Sequence, residues 1–123
     1  MSEKNKALVA RFLEEVRSGV NPRAAGDYMA PVVKANQVVS EYNEVVFRSP
    51  DEYAQHVMEM KEEYGDFDFT IDELLSEGDK VFARWTQVGN GIRQVTSCVY
   101  RIQGDRIAEY WIQIDRLGLQ IQK

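Results

Sequence analysis

Leu8, Val9, Phe12, Leu13 and Val16 recur at three- and four-residue intervals, which places them on one stripe of a helix over residues 3–18. Ser2 can cap its start, and Gly19 is placed to end it. Asn21-Pro22 then supplies a cap and a first-turn proline for a short second helix through Ala24, Ala25 and Tyr28 toward Met29, closed by Pro31. The third helix has the clearest start signal in the chain. Ser49-Pro50-Asp51-Glu52 combines a capping serine, a proline in the first turn and a glutamate three residues after the serine. Its apolar stripe, Tyr53, Val57, Met60 and Tyr64, runs to Gly65.

Residues 32–47 are β-rich in type and predict one or two short strands with a turn at 40–43. After Gly65 the helical period disappears. Strands are predicted at 67–76, 81–88, 92–102 and 107–116, joined by turns at 77–80, 89–91 and 104–105 that are short enough to force antiparallel hairpins. Three helices followed by a meander imply an α+β domain, with the helices on one face of a curved, mainly antiparallel sheet. No linker or repeat interrupts the pattern, so a single domain spanning 1–123 is expected. Only the tail, 117–123, is expected to be partly mobile.

The strands carry apolar residues on both faces. Val81, Ala83 and Trp85 oppose Phe82 and Val88, while Ile92, Cys98, Tyr100 and Ile102 oppose Val95 and Val99. A sheet with one wet face alternates more cleanly, so a second cover is expected, and another copy of the chain is the simplest one. In EYWIQIDR, Glu109, Trp111, Gln113 and Asp115 share one side, and Tyr110, Ile112, Ile114 and Arg116 share the other. If a homodimer through the sheet covers the tyrosine and isoleucines, the acidic side faces the helices and forms the wall of a pocket. The reverse assignment, with Tyr110, Ile112 and Ile114 inward, stays open at this stage.

Composition narrows the partners. A net charge of −5 without a basic stripe argues against nucleic acid, and no apolar run is long enough for a membrane span. The first residues lack the apolar segment of a secretory signal, so a cytoplasmic location is the expectation. The single cysteine, Cys98, has no companions for a disulfide or a metal site. Asp66, Asp68, Asp72 and Glu73 lack the spacing of a calcium loop and read as a solvated edge.

The strings NKALVARFLEEV, YMAP, SPDEYAQHVMEM, DFDFTIDELLSEGDKVFARWT and YRIQGDRIAEYWIQIDRLGL span nearly the whole chain. In this order they resemble the SnoaL-like polyketide cyclases and ester cyclases of the NTF2-like superfamily. The resemblance implies an NTF2-like cone of three N-terminal helices on a curved sheet, dimerisation through that sheet and an apolar cavity inside. It also implies aldol-type ring closure without metal or organic cofactor, with an aspartate of the last strand as acid/base; by the W-x-x-x-D spacing that role falls on Asp115. A carboxylate in an apolar pocket has its charged form disfavoured and becomes a stronger base toward a carbon acid. Trp111 would offer a flat wall, Gln113 a hydrogen bond to a carbonyl, and Glu109 a second polar group on the same side.

The sequence departs from the family where histidines are common. Asn36 stands where a histidine often follows the AP string, and the turn at 89–91 is shorter than the family's H-x-G loop. Asn36 can orient a carbonyl but cannot exchange a proton. His56, the only histidine, lies between Tyr53 and Met60 near the inner stripe and can look into the pocket's mouth, with Tyr53 as a further lining candidate. Arg84, if inward, would pair with Glu109 or Asp115 and quench a base. A small apolar or carbonyl-containing ligand is therefore expected, bound either by a cofactor-independent cyclase or isomerase or by a non-catalytic binding or protein-interaction module on the same fold.

Overall fold

The computed structural model describes residues 2–123. Helix α1 (Ser2–Phe12) continues as one wider π-helical turn, Leu13–Arg17, and buries Leu8, Val9, Phe12, Leu13 and Val16 as the stripe predicts. Ser2 is already helical, and its hydroxyl donates to the hydroxyl of Ser76 rather than closing a cap. Gly19 ends the segment at φ +88°, a left-handed conformation that glycine adopts without strain. The predicted second helix is a tighter 3₁₀ segment, Pro22–Asp27, and Asn21 makes no side-chain cap to it.

Strands β1 (Met29–Val38) and β2 (Asn43–Arg48) form an antiparallel pair, so residues 32–47 hold two strands. Helix α2 (Pro50–Tyr64) starts on the predicted reciprocal cap: the Glu52 backbone N–H donates to Ser49 Oγ at 3.2 Å, and the Ser49 N–H donates to Glu52 Oε1 at 2.8 Å. The meander follows as β3 (Asp68–Glu77), β4 (Lys80–Gly89), β5 (Ile92–Gln103) and β6 (Arg106–Ile114). Asn90-Gly91 and Gly104-Asp105 turn two of the hairpins with both residues at positive φ, the geometry that matches strand twist.

The six strands run in the order β2-β1-β6-β5-β4-β3, with β1 parallel to β6 and every other pair antiparallel. Register shifts at Ile71/Glu73, Arg101/Ile102 and Met29/Lys34 bend the sheet around the helices. The tail is ordered differently from expectation. Residues 116–122 form helix α3 (Arg116–Gln122), whose N-cap is Asp115.

The register fixes the faces. Ala35, Tyr110, Tyr100 and Val81 lie in one row and Ile112, Cys98 and Ala83 in the next, and all seven side chains are buried in the core. Tyr110, Ile112 and Ile114 therefore face inward, the reverse of the assignment favoured from the dimer argument. The bulkier apolar set went to the core, and the polar alternation Glu109, Gln113 was the ordinary outward face.

Candidate functional site

A cleft of about 130 Å³ opens on the concave face, between α2 and the inner side of β1, β2 and β6. Its walls are Tyr53, His56, Val57 and Met60 from α2, Tyr110, Ile112 and Ile114 from β6, Gln37 and Arg48 from the β1–β2 pair, and Arg17 from the end of the first helical segment. Two anchors set the height of α2 over the sheet. Lys61 Nζ donates to the Gly19 carbonyl at 2.8 Å, and Gly89 lies directly beneath the Tyr64 carbonyl at the helix end.

The apolar part of the wall is aromatic. The Tyr53 ring meets Tyr110 edge-on at 6.0 Å and Phe12 at 5.4 Å, and Tyr110 leans on Tyr100 at 6.0 Å. Burial pushes the Tyr110 hydroxyl up to about 12 against the opposing pull of Arg48 and Arg17, and it drives Tyr53 higher still. Both phenols are therefore neutral hydrogen-bond donors throughout the physiological range. The Cys98 thiol is also raised by burial, which keeps it protonated and inert.

The polar part of the wall is cationic. Arg17 is 3% exposed, donates from Nη1 to Gln87 Oε1 at 2.9 Å and stacks over Trp85 at 5.2 Å. Arg48 reaches the concave face through its pairing with Val33, and its buried Nε has no protein partner among the described residues. His56 stands on the rim with its side chain about half exposed and Nδ1 3.9 Å from Glu59. Partial burial lowers its pKa, Arg48 lowers it further, and Glu59 and Glu52 only partly oppose them. The neutral form of the imidazole, which can accept a proton, is thereby favoured. Among the described residues no cluster of three or more His, Cys, Asp or Glu side chains has the makings of a metal site.

The other sequence candidates lie on the convex face. Asn36 Nδ2 donates to Glu109 Oε2 at 3.0 Å and to the Tyr110 carbonyl at 3.0 Å, Arg101 Nε donates to Glu109 Oε1 at 3.1 Å, and Lys34 is 3.8 Å from the same carboxylate. Burial raises the Glu109 pKa, but these hydrogen bonds and charges outweigh it and hold the carboxyl below the usual carboxylate range. Trp111 is half-buried and Gln113 exposed, both pointing away from the helices. Arg84 is exposed, lies opposite Glu73 and Ser97, and pairs with neither Glu109 nor Asp115. Asp115 is exposed, accepts from the Gly118 N–H at 3.0 Å and caps α3. Asp115, Trp111, Gln113, Glu109 and Arg84 are thus outside the cleft, and of the predicted set it gathers only Tyr53 and His56.

Sequence reasoning missed Arg17, Arg48 and Gln37. Arg17 left a signal, since it extends the stripe Val9, Leu13 by one more helical turn and puts a cation on an apolar face. Arg48 and Gln37 left none, because the register of the β1–β2 pair was undetermined.

The model of the SnoaL-like polyketide cyclase family matches residues 7–123. Among solved structures, a candidate polyketide cyclase from Acidithiobacillus ferrooxidans is 26% identical with a TM-score of 0.78, over 97% of this chain and 93% of that one. The candidate polyketide cyclase IdmH from Streptomyces antibioticus is 16% identical with a TM-score of 0.77, over 96% of each chain. A candidate ketosteroid isomerase from Kribbella flavida is 16% identical with a TM-score of 0.71, over 94% of this chain and 80% of that one. The last two likenesses show the shared fold. No curated protein matches the chain. Among the described residues no helix is long and apolar enough to cross a membrane.

Proposed function

The chain belongs to the SnoaL-like polyketide cyclase family, and from that premise we propose that it binds a small carbonyl compound in the concave cleft and moves a proton at the carbon beside the carbonyl. The observation that carries this reading is that His56 shares a cleft with Arg48 and Tyr110, with no carboxylate in the wall. His56 takes the proton as general base. The electron pair left on carbon moves onto the carbonyl oxygen, where a cation and a neutral phenol stabilise the enolate. In an unsaturated ketone, return of the proton from His56 to the far carbon of the conjugated enolate is isomerisation; attack of the enolate carbon on a second carbonyl of the same molecule is cyclisation, and the new alkoxide takes the proton back from His56. This reading assigns the base to His56 in place of Asp115, whose carboxylate is engaged in capping α3. Neither step needs a cofactor.

Cyclohexanone, a neutral ketone of one ring, is a suitable probe. In D₂O the protein is expected to speed deuterium uptake at the carbons flanking the carbonyl, followed by proton NMR. A rate equal to buffer containing an unrelated protein contradicts proton transfer and leaves binding without catalysis as the function.

Dimerisation through the sheet belongs to the same reading, on the convex face rather than the tyrosine side. Trp111, Phe82 and Val99 lie there half-buried, and Leu75 is 57% exposed. A second copy would cover these apolar groups. Sedimentation at micromolar concentration is expected to give the mass of two chains, with Trp111→Glu shifting it to one. A wild-type mass of one chain contradicts the dimer.

A further inference from the structure

The two arginines of this small cleft receive no counter-charge from the described residues. Arg17 and Arg48 both line the cleft, and among the described residues neither lies within ion-pair distance of any carboxylate. No Asp or Glu contributes to the wall at all. Arg17 is 97% removed from solvent, being 3% exposed, and its side-chain hydrogen bond goes to a neutral amide, Gln87. Arg48 keeps a buried Nε without a protein acceptor. Buried cations are ordinarily paired, and an unpaired one is unfavourable unless something else supplies the counter-charge. Their fields converge, since both act on the hydroxyls of Tyr53 and Tyr110.

We propose that the occupant of the cleft is a small organic acid, whose carboxylate is held by Arg48 under the added field of Arg17 and whose apolar body lies between Tyr53, Val57, Met60 and Ile112. The guanidinium fork matches a carboxylate, and the aromatic and aliphatic walls select against a bare inorganic anion. Size adds a second restriction. At about 130 Å³ the cleft is close to the ~150 Å³ cavity that accommodates benzene, so a single ring or its open-chain equivalent matches it. The substrate class named here rests on the cleft being the binding site, as in the reading above, but not on catalysis.

Isothermal titration with four probes tests it: benzoate, benzamide, benzamidinium and inorganic phosphate. The three ring compounds share shape and differ in charge, and phosphate carries charge without the ring. Benzoate is expected to bind about tenfold or more tightly than each of the others, and Arg48→Gln is expected to erase that preference while the near-ultraviolet circular dichroism stays native. If Arg48→Gln does not fold, Arg48→Lys, which keeps the charge and loses the fork, is expected to weaken benzoate severalfold. Benzamide binding as well as benzoate, phosphate matching it, a preference that survives Arg48→Gln, benzoate affinity unchanged by Arg48→Lys, or no saturable benzoate binding would each overturn the organic-acid assignment. Failure of the ketone to exchange deuterium would not, so the two readings fail separately.

Discussion

Replacing His56 by Gln is expected to lower protein-catalysed deuterium uptake into cyclohexanone by about 10²–10⁴-fold, the usual contribution of a positioned general base. Glutamine keeps a polar side chain of similar reach and cannot take a proton at neutral pH. Because His56 is on the rim and half exposed, stability should change little, and the variant should melt with the wild type. The pH profile adds a signature that a structural role would not produce. The folded His56 pKa is lowered from 6.5, so the rate should be flat above that value and fall as the pH drops through the lower folded pKa. A carboxylate base would hold its rate into more acidic solution. Stability follows the same sign: the unfolded chain binds the proton more readily, so the contribution of neutral His56 is complete above pH 6.5 and is lost as the pH falls from there. Asp115→Asn is the companion control. Asparagine caps a helix as well as aspartate does, so both the rate and α3 should survive.

Gly89→Ala is expected to cost about 3 kcal/mol and to lower ligand affinity in the cleft with it. A Cβ at Gly89 would stand 2.7 Å from the Tyr64 carbonyl oxygen and 3.0 Å from the Tyr64 Cβ. The nearest atom is backbone at the end of α2, so no side-chain rotation relieves the overlap. The helix must lift from the sheet, and α2 carries Tyr53, His56, Val57 and Met60. Gly26→Ala is the matched control, because a Cβ there meets nothing within 4 Å. It should be neutral or slightly stabilising, by up to about 0.5 kcal/mol through a less flexible unfolded chain. Thermal melts of the two variants, read beside the wild type, separate overlap at Gly89 from a general intolerance of glycine replacement.

Much of this architecture was legible because several local signals agreed with one another. The Ser49/Glu52 cap, the stripe on α2, the glycine-bearing hairpin turns and the four-strand meander all point to helices on a curved sheet. The site was less legible, and the reason is parity. Side chains alternate between the two faces of a strand, and the presence of apolar groups on both sides of the sheet removed the usual sign of which face is inward. The polar residues of β6 read as a pocket wall when in fact Glu109 is tied to Asn36 and Arg101 on the outside. Asp115 carried the family spacing, yet in this chain β6 stops at Ile114 and the aspartate turns to cap the helix that follows. That His56 and Tyr53 share the side of α2 that lines the cleft was within reach because helical spacing has no such ambiguity. Arg48 was not, since the face it joins depends on a register between β1 and β2 that no local pattern specifies.

On the reading proposed above, small molecules bind in the concave cleft and not on the outer face around Asp115. The most direct measurement is a nitrogen–proton correlation spectrum of labelled protein titrated with cyclohexanone, a probe whose binding needs neither charge nor turnover to be seen. If the cleft is the site, the saturable shifts will centre on the amides of Tyr53, His56, Val57, Tyr110 and Ile112. Shifts centred instead on Val95, Ser97, Gln113 and Asp115, with the α2 amides unmoved, would contradict it.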